Sequence, residues 1–136
     1  MPSVFRKTSA PSSTARIAFP EDFAFAGSKN RFFVALDDYI FRVYQSGSLY
    51  KAVDISEPTG ITAMAYNGTV SSGTLVVATE TPEVYRTTEM WGSDPEWVLA
   101  DNAPLGVINS LAFVDDKLYA AAANYDGGFG SAVYAS

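Results

Sequence analysis

The side chains that could do chemistry in this 136-residue chain are carboxylates, tyrosines, lysines and arginines, because the sequence contains neither cysteine nor histidine. That composition excludes a disulfide framework, a thiolate nucleophile, zinc sites built from Cys and His, and Ser-His-Asp or Cys-His catalysis. Two acidic pairs, Asp37-Asp38 and Asp115-Asp116, have the residue type needed for paired-carboxylate catalysis or for a hard cation. Both fall at predicted hairpin turns, where Asp is favoured because it hydrogen-bonds the local backbone. We therefore interpret both pairs as turns and expect neither a metal site nor a cofactor.

Aromatic residues in predicted loops are better candidates for ligand binding. Trp91 lies in a polar connection beside Gly92, where a buried side chain would be unusual. A Trp in such a loop can stack on a sugar or anchor an interface, and it can equally fold back onto its own sheet. Tyr125 and Phe129 lie in "NYDGGFG", a stretch that could bind a ligand through backbone N–H groups or simply connect two strands. Trp97 lies in a predicted strand, so we expect it to be buried and Trp91 to be the more exposed.

Charge and hydropathy exclude further classes of function. The net charge of −6 should repel nucleic acid. No apolar run approaches the roughly 20 residues of a membrane span. The segment after Met1, "PSVFRKTSAPSST", has no apolar region of the kind found in secretion signals, which together with the lack of Cys favours the cytoplasm. Residues 1–14 are predicted to form a flexible N-terminal arm, because they are polar and rich in Ser, Thr and Pro.

An internal repeat predicts the fold. Val-Tyr followed by Ser or Thr two residues on recurs at Tyr44, Tyr85 and Tyr134, a spacing of roughly 40–50 residues. Before each copy lie a strand, a turn and a more apolar strand, the last being "RFFVAL", "TLVVAT" and "KLYAAA". Such continuous apolar runs are typical of strands covered on both faces. The first two copies continue into a fourth strand, "SLYKAV" and "EWVL".

These units predict one all-β repeat domain over residues 15–136, with about three four-stranded antiparallel blades. The blades span about residues 22–55, 60–100 and 107–136, and the first is predicted to begin with a strand at "DFAFA". Three blades do not easily close a ring, so we expect half of a six-bladed propeller closed by a homodimer. "ARIAF" (Ala15–Phe19) would then complete the third blade of the partner chain. A monomeric sandwich or barrel of the same strands is the alternative.

Two segments, "TLVVATETPEVYRTTEMWGSDPEW" and "KLYAAAANYDGGFGSAVYAS", resemble blades of the sialidase-like, Asp-box propellers. In that family Val-Tyr-x-Ser leads into Ser-x-Asp-x-Gly-x-x-Trp, which pins the turn to the outer strand. Here Thr87 stands at the Ser, Glu89 at the Asp and Trp91 at the Gly, and Trp97 stands at the closing Trp after a three-residue insertion.

The resemblance implies a possible glycosidase, with three arginines holding a carboxylate, a Tyr/Glu nucleophile pair and an Asp acid. The candidates for these roles are Arg31, Arg42, Arg86, Tyr44, Tyr85, Glu80 and Asp37. No family motif selects them, and arginines with packed alkyl stems are the simpler interpretation. A non-catalytic binding or scaffold protein with a glycan or protein ligand is therefore the leading hypothesis, and a carboxylate-based glycoside hydrolase is the alternative.

Overall fold

A computed structural model describes residues 15–92, 94–101, 106–123 and 131–135. In these ranges the chain forms eleven β-strands and one 3-10 helix, Gly27–Lys29, with no α-helix, so the all-β prediction is confirmed. The strands make three antiparallel sheets, each a meander in chain order. Sheet 1 contains β1 (Ala15–Ala18), β2 (Arg31–Leu36), β3 (Tyr39–Ser46) and β4 (Leu49–Asp54). Sheet 2 contains β5 (Ile61–Gly68), β6 (Gly73–Thr79), β7 (Val84–Thr87) and β8 (Val98–Leu99). Sheet 3 contains β9 (Ile108–Val114), β10 (Lys117–Ala123) and β11 (Ser131–Ala135).

The acidic pairs form hairpin turns. Asp37 joins β2 to β3 with φ of 49°, and Asp115 and Asp116 join β9 to β10 with φ of 47° and 64°. Asp is among the few residues other than Gly that adopt this left-handed conformation readily. The carboxylates also hold neighbouring segments: Asp38 Oδ1 accepts a 2.8 Å hydrogen bond from the Gly60 N–H. Asp116 Oδ1 accepts one of 2.9 Å from the Asn67 side chain.

Sheet 2 lies between the other two sheets, because its strands are apolar on both faces. On β6, Leu75 and Val77 face sheet 1, whereas Val76 and Ala78 face sheet 3, and all four are buried. Residues from both adjoining sheets complete the core between sheets 1 and 2: Phe33, Ala35, Ile40, Ile55, Met64, Tyr66, Met90 and Trp97. The core between sheets 2 and 3 is built from smaller side chains: Ala63, Ala65, Val84, Ile108, Leu111, Ala120 and Ala122. The small residues of β10, although helix-prone in isolation, are therefore a packing surface of a strand.

The first sheet differs from the prediction at its first strand. Residues 22–26 form no strand; instead Ala15–Ala18 pairs antiparallel with β2, from Ala15 opposite Leu36 to Ala18 opposite Phe33. The predicted donation of "ARIAF" to a partner chain is therefore wrong for this structure, because that strand is hydrogen-bonded within its own sheet. Asp22, at the start of the displaced segment, accepts a 2.8 Å hydrogen bond from the Val70 N–H. Phe23 stacks edge-on against Phe19, with ring centroids 4.8 Å apart, so the segment folds back as a loop.

Trp97 should be one of the most costly residues to truncate. It is 8% exposed, and its indole N–H donates a 3.0 Å hydrogen bond to the Ile55 carbonyl across the two sheets. We expect Trp97→Ala to lower the free energy of unfolding by ~3–5 kcal/mol, measured by urea denaturation. Leu49→Ala is the matched control: Leu49 is 53% exposed, and its change should stay within about 0.5 kcal/mol. Equal losses in the two variants would contradict the assignment of Trp97 to the core.

Candidate functional site

A groove between sheets 1 and 2 brings basic and aromatic side chains together. It has a volume of about 170 Å³ and is lined by Arg31, Arg42, Tyr44 and Trp91. Arg31 begins β2, Arg42 and Tyr44 belong to β3, and Trp91 lies in the connection from β7 to β8. The groove thus combines two cations with two aromatic rings that each carry a polar group.

Strand register explains why these residues meet. Arg31 is opposite Tyr44 in the β2–β3 pair, and Tyr44 is opposite Lys51 in the β3–β4 pair. Directly opposed residues project from the same face of a sheet. Arg42 lies two residues from Tyr44 on the same strand, so it shares that face as well. Three basic residues therefore surround Tyr44 on the face that sheet 1 turns toward sheet 2.

Trp91 closes the groove from the side of sheet 2. Its ring packs at a centroid distance of 5.0 Å against Phe33 and of 6.4 Å against Tyr66. The Arg31 guanidinium lies 5.6 Å from the centre of the same ring, within the range of a cation–π interaction. Trp91 is half-buried and packs against the core, so it folds back onto the sheets rather than standing free as a platform. It is nevertheless more exposed than Trp97, as expected.

Arg42 holds the Trp91 turn in place. Its Nη1 donates hydrogen bonds of 3.2 Å to the Met90 carbonyl and 2.9 Å to the Gly92 carbonyl. Met90 itself is fully buried in the core between the two sheets. A residue of sheet 1 therefore clamps both ends of the peptide segment that carries Trp91.

The turn that precedes Trp91 is fixed by its own side chains. Thr87 Oγ1, in a buried residue, accepts a 3.1 Å hydrogen bond from the Glu89 N–H. Glu89 Oε2 in turn accepts a 3.4 Å hydrogen bond from the Glu96 N–H, which joins the two ends of the β7–β8 connection. These are the two positions that the sequence aligned with the Ser and Asp of an Asp-box. Together the two side chains pin the turn.

The basic residues around Tyr44 form no ion pair with any residue that the structure describes. Among the residues that the structure describes, the one ion pair joins Lys29 to Asp22 at 3.4 Å and involves none of the basic residues around Tyr44. Carboxylates instead gather around a separate pocket lined by Asp54, Glu57, Asp94 and Glu96. No group of three or more carboxylates in the described ranges is arranged to hold a metal ion.

The pKa values of two tyrosine hydroxyls, those of Tyr66 and Tyr85, are raised by burial and by hydrogen bonding, respectively. Burial raises the pKa of Tyr66 to about 12, an effect that the nearby Trp91 indole N–H partly opposes. Tyr66 donates its own proton to the Thr69 carbonyl at 2.6 Å. Tyr85 donates a 2.5 Å hydrogen bond to Glu83, and that bond raises the pKa of the Tyr85 hydroxyl. Neither hydroxyl is set up to ionise near neutral pH.

The structure brings together only part of the set of residues that the sequence indicated. Arg31, Arg42 and Tyr44 share the groove with Trp91, but Arg86 lines a different pocket beside Glu89. The other candidates also lie outside the groove lining: Tyr85, Glu80 and Asp37. Asp37 follows the end of β2 whereas Arg31 begins it, which separates them by ~20 Å of extended strand. The loop candidates Tyr125 and Phe129, like the arm predicted for residues 1–14, lie outside the described residues.

Lys51, which lies opposite the groove residue Tyr44 without lining the groove itself, is the residue of this basic group that sequence reasoning missed. Nothing in its local sequence, "SLYKAV", distinguishes it from an ordinary exposed lysine of an edge strand. The signal that could have found it is register: given the β3–β4 hairpin, Lys51 must oppose Tyr44.

Comparisons with known proteins leave the identification at the level of fold class. The sequence matches no protein-family model, and no curated protein or solved structure is detectably similar to it. Within the described ranges no helix is long and apolar enough to cross a membrane.

Removing the Arg42 clamp should loosen Trp91. In a Trp97→Phe background, where Trp91 is the remaining tryptophan, we expect Arg42→Ala to shift the fluorescence emission to longer wavelength, since the indole becomes more hydrated. The loss of two hydrogen bonds from a charged donor should also lower the free energy of unfolding by ~1–3 kcal/mol. Arg86→Ala, which removes an exposed arginine on β7, is the control and should leave the emission unchanged. An unshifted spectrum in Arg42→Ala would show that the turn keeps its position without the arginine.

Proposed function

We propose that the protein is a non-catalytic binding protein of the β-propeller type, whose ligand lies in the groove between the first two sheets. The observation that carries this proposal is the composition of the groove: two arginines, a tyrosine and a tryptophan, with no carboxylate among the described residues that line it. Aromatic rings next to hydrogen-bonding cations suit a polar ring-bearing ligand such as a glycan. A hydrolase would need two carboxylates about 5–10 Å apart across such a site.

Three features support a propeller arrangement. Each sheet is a meander in chain order, and each packs face to face on the next. The first strands β1 and β5 approach closely, with Arg16 Nε donating a 3.0 Å hydrogen bond to the Thr62 carbonyl. The β7–β8 connection is pinned by Thr87 and Glu89, at the positions of a degenerate Asp-box.

A glycoside hydrolase of sialidase-like ancestry is the second candidate, and one observation favours it. The Tyr85–Glu83 hydrogen bond of 2.5 Å is a Tyr/Glu pair of the kind that the resemblance implies for a nucleophile. However, the arginines that would hold the substrate line the groove, and Tyr85 does not line it. The raised pKa of Tyr85 also disfavours the phenolate that would attack.

A glycan array and a panel of fluorogenic glycosides distinguish the two functions. We expect array binding that Tyr44→Ala reduces at least about tenfold, because Tyr44 is the groove ring at the centre of the basic residues. We expect no turnover of any glycoside. Tyr85→Phe is the matched control: it removes one tyrosine hydroxyl outside the groove and should leave binding unchanged. If a glycoside is hydrolysed and Tyr85→Phe abolishes that activity, the binding function is contradicted and the hydrolase function is supported.

We also propose that two copies of the chain combine to form a six-bladed ring. Within the chain, one face of each sheet packs on the opposite face of the next, and this contact occurs twice. The outer faces of sheets 1 and 3 are the two halves of a third such contact, and a second copy supplies both halves under two-fold symmetry. Apolar side chains remain exposed on them: Ile17 is 57% exposed on sheet 1 and Val114 is 55% exposed on sheet 3.

Light scattering coupled to size exclusion tests the dimer. At micromolar concentration we expect twice the 14.6 kDa chain mass. Ile17→Glu and Val114→Glu should each shift the equilibrium toward monomer, because a charge would be buried in the contact. Leu49→Glu places the same charge at an equally exposed residue that faces away from both surfaces. A monomeric mass for the unmodified chain, or a dimer that neither substitution weakens, would contradict the ring.

A further inference from the structure

A basic cluster around Tyr44 consists of Arg31, Arg42 and Lys51. These are three of the nine lysines and arginines in the chain. Arg31 and Lys51 flank Tyr44 on the neighbouring strands, where opposed Cβ atoms are about 4.5–5.5 Å apart. Arg42 is two residues along β3, or roughly 7 Å away. The three basic residues thus lie on three neighbouring strands, on the same face of sheet 1 as Tyr44.

Within the described residues, the basic cluster is met by the Trp91 ring and by two backbone carbonyls, and not by a carboxylate. None of its three residues takes part in an ion pair within the described ranges, although the protein as a whole has a net charge of −6. Like charges on adjacent strands repel one another. Acidic residues outnumber basic ones in this chain, yet no described carboxylate pairs with the cluster. The cluster is therefore available to bind an anion from outside the chain.

The dimensions of the groove limit the size of that anion. A volume of about 170 Å³ corresponds to roughly six water molecules, well below the ~300–1,000 Å³ of a site for a drug-sized ligand. A polyanion such as nucleic acid would extend beyond the basic cluster and meet the acidic remainder of the surface. The groove therefore suits one small anionic group together with part of the ring that carries it.

The geometry points to a small sugar bearing a tetrahedral oxyanion, a sulfate or phosphate ester, as the ligand of this groove; the inference rests on the binding function proposed above. Such an ester presents three terminal oxygens, and the donors available for them are the Arg31 guanidinium, the Arg42 nitrogens other than Nη1, and Lys51 from the strand beside Tyr44. A carboxylate has two oxygens and is satisfied by the fork of a single arginine. The rings of Tyr44 and Trp91 supply the apolar surface against which a sugar ring packs.

Calorimetric titration with four small sugars at pH 7 and low ionic strength tests the ligand class. The probes are glucose 6-sulfate, glucose 6-phosphate, glucuronate and glucose. We expect both esters to bind at least about tenfold more tightly than glucuronate, and glucose to bind least, because each lost charge-assisted hydrogen bond reduces affinity by about that factor. The ester that binds with the higher affinity shows whether the groove prefers a sulfate or a phosphate group.

Charge-removing variants tie the affinity to the basic cluster. Arg31→Gln and Lys51→Gln should each weaken ester binding about ten- to a hundredfold. Lys51 is exposed and does not line the groove, so its substitution leaves the packing intact. Arg86→Gln changes the net charge by the same amount outside the groove and should leave the affinity unchanged.

The possible results separate this inference from the binding function. If all four sugars bind equally and Lys51→Gln changes none of the affinities, the ligand does not need an oxyanion. The groove would then remain a glycan-binding site without this specificity. If glucuronate binds as tightly as the two esters, the groove does not require a ligand with three terminal oxygens, and the inference is contradicted. If none of the four binds, the inference fails, and the glycan array then decides the binding function separately.

Discussion

The two-sided burial of β5 and β6 is the constraint on which the other parts of this structure depend. Leu75, Val76, Val77 and Ala78 are consecutive and all buried, so water must be excluded from both faces of the same strand. The leucine and the two valines each contribute roughly 1.5–3 kcal/mol when they are fully buried, and the alanine contributes less. One covering sheet removes only half of that surface from water, so sheets 1 and 3 are both required. Sheet 2 is consequently the centre of the stack, and the two cores differ because its two faces differ: Tyr66 and Trp97 adjoin one, and alanines the other.

The groove is a consequence of this stacking at one end of the contact between sheets 1 and 2. Large side chains fill the centre of that contact, where Phe33 and Tyr66 pack at a ring distance of 4.9 Å. Toward the start of β2 the residue on the same face is Arg31, whose charge cannot be buried without a partner. The Trp91 turn fills the resulting gap and offers that charge an aromatic face. The cavity that remains is therefore lined by charge and aromatic rings, whereas the core beside it is apolar.

Much of the fold followed from the sequence, because it depends on local patterns. Continuous apolar runs indicated two-sided burial of β6, and the Asp pairs indicated the turns that Asp37 and Asp115 form with positive φ. The first strand was mispredicted because both "ARIAF" and "DFAFA" have strand-like composition. Which of them pairs with β2 depends on long-range contacts, such as the hydrogen bond from the Val70 N–H to Asp22. The groove could be predicted only in part: residue type singled out Arg31, Arg42 and Tyr44, but register is needed to place Lys51 beside them.

Arg42 combines a structural role with a place in the proposed site, and its chemistry permits both. A guanidinium has five N–H donors in a rigid plane, and in this structure Nη1 is the nitrogen that meets the Met90 and Gly92 carbonyls. A lysine in that position would have to divide a single ammonium group between the carbonyls and a ligand. The clamp also fixes the direction of the remaining donors before any ligand arrives, because the guanidinium cannot rotate without breaking the contacts to the turn. Ordering a long side chain in advance removes part of the entropic cost of binding. The same two hydrogen bonds that hold Trp91 against Phe33 therefore also orient Arg42 toward the groove.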